Sequence, residues 1–389
     1  MPFLKRIPAT SWWKWVVGVD LFLVLFTLIS SYIPSLPGSE IFNLGAEMNV
    51  AVWWNGICLL AIALLVFELF STTRDEKRKA WLLLSIIFAG LSLDEIGSLH
   101  ERIVGLSDII WYASAGAIAL GYCLVILFRR GETRRTAAFI LSGFLLFGLV
   151  AGQEFLEHTL SWPKWLLGIR LGVEEGTELV GTLLCLWGVA EYRKPQKNDV
   201  GAWDNVIPNP FHMKYLPLIV AVALVIHSIA TLFIRNFPDL DFRGNPAAWF
   251  PSSLFFLLFS ATWWRRGVGG VGKRNDRTMM CACLLLWSVS AMAFPHFLLY
   301  NYYSPYIISF PLFIYIYARM CVGVSIKYIV MPFIGFLMLL AGFFLLKYNY
   351  FGNVFILKYI LIGTFAYLIF LTPLFIPFSY SRKILESNI

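Results

Sequence analysis

The sequence predicts an all-α, polytopic membrane protein with about twelve transmembrane helices and both termini cytoplasmic. Three observations carry that expectation. Hydrophobic residues make up 59% of the 389-residue chain and charged residues only 14%, which excludes a water-soluble domain. Apolar runs of about 20 residues recur from end to end, the length a bilayer-spanning helix needs, and they are continuous rather than alternating, which excludes barrel strands. Lys and Arg are distributed very unevenly between alternate loops.

In order along the chain, the expected spans cover 14–34, 49–71, 80–101, 108–128, 137–158 and 171–191, then 215–235, 247–264, 278–298, 305–320, 328–346 and 354–377. Lys5 and Arg6 precede an apolar stretch too long for a signal-peptide core, so the first span is expected to stay uncleaved. Alternating the spans from a cytoplasmic N-terminus places TRDEKRK, RRGETRR, EYRKPQK and RRGVGGVGKRNDR inside, against SLPGSEIFN and NFPDLDF outside. That assignment puts most of the 31 Lys and Arg inside, as in a bacterial-type inner membrane protein. Residues 193–214 form the longest polar connection, a cytoplasmic linker between a first six-helix half (1–192) and an aromatic-rich second half (215–389).

The net charge of +8 does not point to nucleic acid, because the basic residues are spread over short loops instead of one soluble face. Membrane lipids are the expected surroundings. The six cysteines fall within or at the edges of apolar runs and read as small hydrophobes, with no disulfide or zinc-knuckle framework.

Acids and histidines concentrate in three places. Span three ends LSLDEIGSLHER, with Asp94, Glu95, His100 and Glu101; span five ends GQEFLEHT, with Glu154, Glu157 and His158; span six begins GVEEGTE, with Glu174, Glu175 and Glu178. Since spans three and five run outward and span six runs inward, all three groups belong to the outer third of the bilayer. At about 100° per residue, Glu154, Glu157 and His158 share one face, as do Glu174, Glu175 and Glu178. His100 departs from the face set by Asp94, Ser98 and Glu101 unless Gly97 loosens the turn.

A carboxylate at the bilayer centre costs about 2.5–3.5 kcal/mol on the mildest scale, so eight such acids call for metal ions or shared protons. Glu154 and His158, one turn apart, can ligate one ion from a single helix face. The expected ligand set is Glu101, Glu154, His158, Glu175 and Glu178 with His100, leaving Asp94, Glu95, Glu157 and Glu174 for proton transfer. This inventory resembles that of carboxylate-bridged di-iron proteins, but neither His100 nor His158 follows an acid by three residues, so a divalent zinc is favoured over di-iron. Water activation at a lipid-facing site is similar to the chemistry of alkaline-ceramidase-like membrane hydrolases, whose paired HxxxH this chain lacks.

The expected function is therefore a metal-dependent membrane hydrolase acting on a lipid or other hydrophobic substrate at the extracytoplasmic leaflet. Two other classes use the same residues differently. An ion- or proton-coupled transporter would employ the carboxylates as cation or proton sites, and an accessory subunit of a membrane complex would use the aromatic second half as a partner surface. Asp20, Asn55 and Glu68 are isolated polar groups of the first two spans: Asp20 is expected to face Lys14 or an inner cavity, Asn55 to border the acids, and Glu68 to snorkel or pair with a loop. His227 and His296 are second-tier ligands. The glycines of RRGVGGVGKRNDR lack the Lys-Ser/Thr ending of a phosphate loop and read as a turn.

Overall fold

Long apolar runs without interior proline wind into helices, and short polar segments interrupt them. The computed structural model describes residues 12–33, 35, 36, 42, 50–97, 106–159, 163 and 166–193, and then 276, 278–284, 287, 309, 311–316, 330 and 337. Among the described residues of the first half six helices are formed: α1 (Trp12–Tyr32), α2 (Val50–Thr72), α3 (Lys77–Gly97), α4 (Leu106–Arg129), α5 (Arg134–Thr159) and α6 (Leu167–Arg193). The described residues contain no strand.

Three stretches are long and apolar enough to cross a membrane: Trp13–Tyr32, Val52–Thr72 and Arg134–Gln153. Ser114–Arg129 is a shorter apolar helix. The charges that open α3 (Lys77, Arg78, Lys79) and those carried early by α6 (Arg170, Glu174, Glu175, Glu178) dilute the hydropathy of those two helices.

The chain divides into two compact units, Met1–His212 and Met213–Ile389. In the first, α2, α3, α4, α5 and α6 each pack on the next, α6 returns to α2, and α1 lies against α6. α2 is apolar on every side and is buried on every side, from Trp53 to Leu69. α1, α4 and α5 instead leave large apolar side chains exposed, among them Leu21, Leu25, Ile118, Val125, Leu145 and Leu149. In the second unit Trp287 donates its indole N–H to Ser309 Oγ at 2.6 Å and its ring lies 4.7 Å from that of Phe313. Cys58, Cys123, Cys185, Cys281 and Cys283 are buried free thiols.

Glycine spacing explains how α6 holds α1 and α5 close. Its Gly168, Gly172 and Gly176 recur every fourth residue, one helical edge, and a Cβ there would lie 2.8 Å from Ser31 Cβ, 2.8 Å from Leu28 Cδ2 and 3.4 Å from Val24 Cγ2 of α1. A second edge, Gly181 and Gly188, meets α5: a Cβ on the facing Gly143 would stand 2.6 Å from the Gly181 carbonyl oxygen. Small residues thus let three backbones approach closely, as in membrane helix pairs.

Candidate functional site

Three consecutive residues of α2 reach three different helices, because successive side chains on a helix diverge by about 100°. The Trp54 indole N–H donates to Asp20 Oδ1 of α1 at 2.8 Å. The Thr182 hydroxyl of α6 donates to Asn55 Oδ1 at 2.8 Å. The Ser92 hydroxyl of α3 donates to the Gly56 carbonyl. Asp20, Asn55, Ser92 and Thr182 are all buried, so this is a polar layer set inside an apolar bundle. Asp20 therefore faces α2 and not Lys14, whose ammonium lies over the Trp13 ring at 5.7 Å.

An ionic rim closes one end of the same bundle. Arg193, in the last turn of α6, pairs with Glu68 of α2 at 2.7 Å with both side chains buried, so Glu68 neither snorkels nor meets a loop but is held by a helix residue. Lys77 is buried between Asp75, at 3.0 Å, and Glu132. Arg130 binds Glu76 at 2.5 Å and Arg135 reaches Glu191 at 3.8 Å. These contacts tie the α2–α3 turn to the α4–α5 turn. Burial would lower the Lys77 ammonium, but hydrogen bonds to Glu132 and Asp75 outweigh it and push the group up to about 12. Slight burial would raise the Asp75 carboxyl, yet the hydrogen bonds and charge of Lys77 and the charge of Arg130 hold it below the usual range.

The acids lie toward the other end. With a rise of about 1.5 Å per residue, Thr182 stands about 16 Å along α6 from Arg193, Glu178 about 22 Å and Glu174 about 28 Å. On α3, Asp94 is about 26 Å from Lys77 by the same measure. Asp94, Glu95, Glu174, Glu175 and Glu178 are half-buried. On α6, Glu175 and Glu178 fall on the face of Thr182, which meets α2, while Glu174 shares the face of Gly181, which meets α5. Gln153 fixes that second contact: its amide donates to the Arg170 carbonyl at 3.2 Å and to Glu174 Oε2 at 3.4 Å. The next turn of α5 carries Glu154, Glu157 and His158.

The structure thus brings the α6 acids beside the end of α5 and at the level of Asp94 and Glu95. The side chains of Glu154, Glu157 and His158 lie outside the described ones, as do residues His100 and Glu101 and the second-half histidines His227 and His296. Among the described residues no group of three or more His, Cys, Asp or Glu is placed to hold a metal ion. Asp94, Glu95, Glu174, Glu175 and Glu178 do not make a ligand set by themselves, so a metal here requires donors from Glu101, Glu154, His158 or His100.

Asp20 and Asn55 stand out in the sequence as isolated polar groups, but Trp54, Thr182 and Ser92, which complete the polar layer beneath the acids, do not. The signals for them are Thr182, one turn from Glu178 on the same face, and the adjacency of Trp54, Asn55 and Gly56 in the first turns of α2. No curated protein and no solved structure matches the chain. Residues 19–190, which run from within α1 to within α6 and include the polar layer and every acid of the α3, α5 and α6 groups, match a family described as Domain of unknown function (DUF8692).

Proposed function

We propose that the protein is a bacterial-type inner membrane protein of about twelve spans with both termini cytoplasmic, whose first half carries a divalent-metal centre. Its activity is the hydrolysis of a lipid or other hydrophobic substrate at the extracytoplasmic leaflet. The observation that supports this reading is the contact of Gln153 with Arg170 and Glu174, which draws the acid-bearing turns of α5 and α6 together. The acids stand about 22–28 Å from the ionic rim, and in a hydrocarbon core of about 30 Å that depth lies just under the outer headgroups.

In this proposal Glu101, Glu154, His158, Glu175 and Glu178, with His100, offer oxygen and nitrogen donors suited to zinc. Zinc, when bound, supplies a water acidified to near neutrality. Asp94, Glu95, Glu157 and Glu174 remain to accept and return the proton, and the apolar faces around them admit a hydrophobic substrate while restricting bulk water.

Elemental analysis of the purified full-length protein tests the proposal. One or two equivalents of a divalent metal are expected, lost on chelation and reduced in Glu154→Gln and His158→Ala, with His100→Ala less damaging. Metal-free protein with all three variants unchanged overturns it.

A second reading, proton- or ion-coupled transport, draws on the buried layer of Asp20, Trp54, Asn55 and Thr182, which continues the acidic face inward. Substrate-dependent proton uptake by metal-free protein in liposomes would select it, and Asp20→Asn should then lose that uptake.

A further inference from the structure

At the ionic rim every carboxylate of the two turns already serves a cation: Glu76 binds Arg130, Asp75 and Glu132 bind Lys77, and Glu191 reaches Arg135. Arg129 and Arg134, both exposed, have no carboxylate among the described residues. Arg134 Nε donates to the carbonyl of Phe128, the residue before Arg129, at 3.5 Å, which sets the Arg134 guanidinium against the last turn of α4. The Thr133 hydroxyl fixes this corner by donating to the Leu127 carbonyl at 2.6 Å.

Each of these arginines heads an exposed apolar stripe. On α4, Val125, Tyr122 and Ile118 precede Arg129 by four, seven and eleven residues, one helical face, and they are 52%, 48% and 74% exposed. On α5, Ala138 and Leu145 follow Arg134 at four and eleven residues on one face, with Leu149 a turn further, and the two leucines are 61% and 65% exposed. Eleven residues of helix span about 16 Å, close to one leaflet of a hydrocarbon core of about 30 Å.

We propose that the α4–α5 corner is a binding site for an anionic glycerophospholipid, its phosphate between Arg129 and Arg134 and its acyl chains along the α4 and α5 stripes. Two exposed cations at one corner suit one phosphate, and two apolar stripes suit two chains; a free phosphate or a nucleic acid would use the arginines and leave the stripes without a role. The placement of this lipid in the inner leaflet rests on the topology proposed above, whereas the binding itself does not.

The test uses full-length protein in neutral detergent, with bound lipid measured by native mass spectrometry after addition of dioleoyl phosphatidylglycerol or dioleoyl phosphatidylcholine. Phosphatidylglycerol should be retained in preference. Arg129→Gln and Arg134→Gln should each weaken it about fivefold, the counterpart of about 1 kcal/mol per cation, and the double variant about 25-fold. Lys14→Gln, an exposed cation on α1, should leave it unchanged. The two arginines are exposed, so the variants fold, and an unchanged unfolding midpoint confirms that in each preparation. Equal retention of the two lipids, or undiminished phosphatidylglycerol binding in the double variant, overturns the proposal. So does equal competition by glycerol 3-phosphate, which would mark the corner as a site for free phosphate. Metal content serves as the independent readout of the acidic end and is expected to be untouched by these variants.

Discussion

Arg193 Nη2 donates to Glu68 Oε2 at 2.7 Å with only 3% and 8% of the two side chains exposed, so the last turn of α6 is fastened to α2 by a buried ion pair. Removing one partner leaves the other as an uncompensated buried charge, which costs about 3–5 kcal/mol, while replacing both by apolar groups of similar volume is close to neutral. Arg193→Met and Glu68→Met should therefore each destabilise the protein strongly and the double variant should recover most of the loss. A double-mutant cycle on unfolding in detergent reads this directly.

Gly143 sits where α5 crosses α6. A Cβ there would stand 2.4 Å from Cys185 Sγ and 2.6 Å from the Gly181 carbonyl oxygen, and the backbone cannot yield without parting the helices. Gly143→Ala should cost about 1–3 kcal/mol, as overpacking does. Gly148 on the same helix has nothing within 4 Å, so Gly148→Ala should be neutral or stabilise by up to about 1 kcal/mol through helix propensity. Thermal unfolding of the two variants separates the cases.

Trp54→Phe keeps the ring's bulk but withdraws the donor from Asp20 Oδ1, leaving a buried oxygen without that bond. The expected loss is about 1–3 kcal/mol, and Asp20→Leu added to it should restore part of the stability because no polar atom is then stranded. Thr182→Val should behave in the same way toward Asn55. If the three bonds of the layer act as one network, Trp54→Phe and Thr182→Val will be non-additive in combination.

The Lys77 clamp gives stability a defined pH window. Lys77 is raised from its ordinary 10.5 to about 12, so its contribution is complete below 10.5 and is lost as pH climbs through 12. The Asp75 carboxyl is lowered, so its contribution is complete above the unfolded value of about 3.9 and is lost as pH falls through the lower folded one. Unfolding midpoints of Lys77→Met measured against pH should lack the alkaline fall that the unmodified protein shows.

The first six helices were legible because apolar runs and short charged turns are local signals, and TRDEKRK and RRGETRR mark the turns on either side of the Lys77 clamp. The acidic groups were legible for the same reason, since a carboxylate in an apolar run stands out. The partner of Asp20 was not: Trp54 lies 34 residues away and is one of 15 tryptophans, and nothing local distinguishes it. Nor was the pairing of Glu68 with Arg193, which joins residues 125 apart and depends on α6 returning to α2. The glycines of α6 were visible as letters, but their role is set by Ser31, Leu28 and Val24 on another helix.

That glycine edge also sets an order of assembly. α1 emerges during synthesis before α2 to α6, yet the grooves at Gly168, Gly172 and Gly176 that receive Ser31, Leu28 and Val24 belong to α6, the last of these six. More than 130 residues separate the end of α1 from the start of α6. At about 5–20 residues per second, α1 waits on the order of ten seconds for its seat. Until then α1 has only its earlier neighbours, the Trp54 bond to Asp20 and the ring contacts of Phe22 and Phe26 with Phe42, and the glycine edge of α6 seats it last.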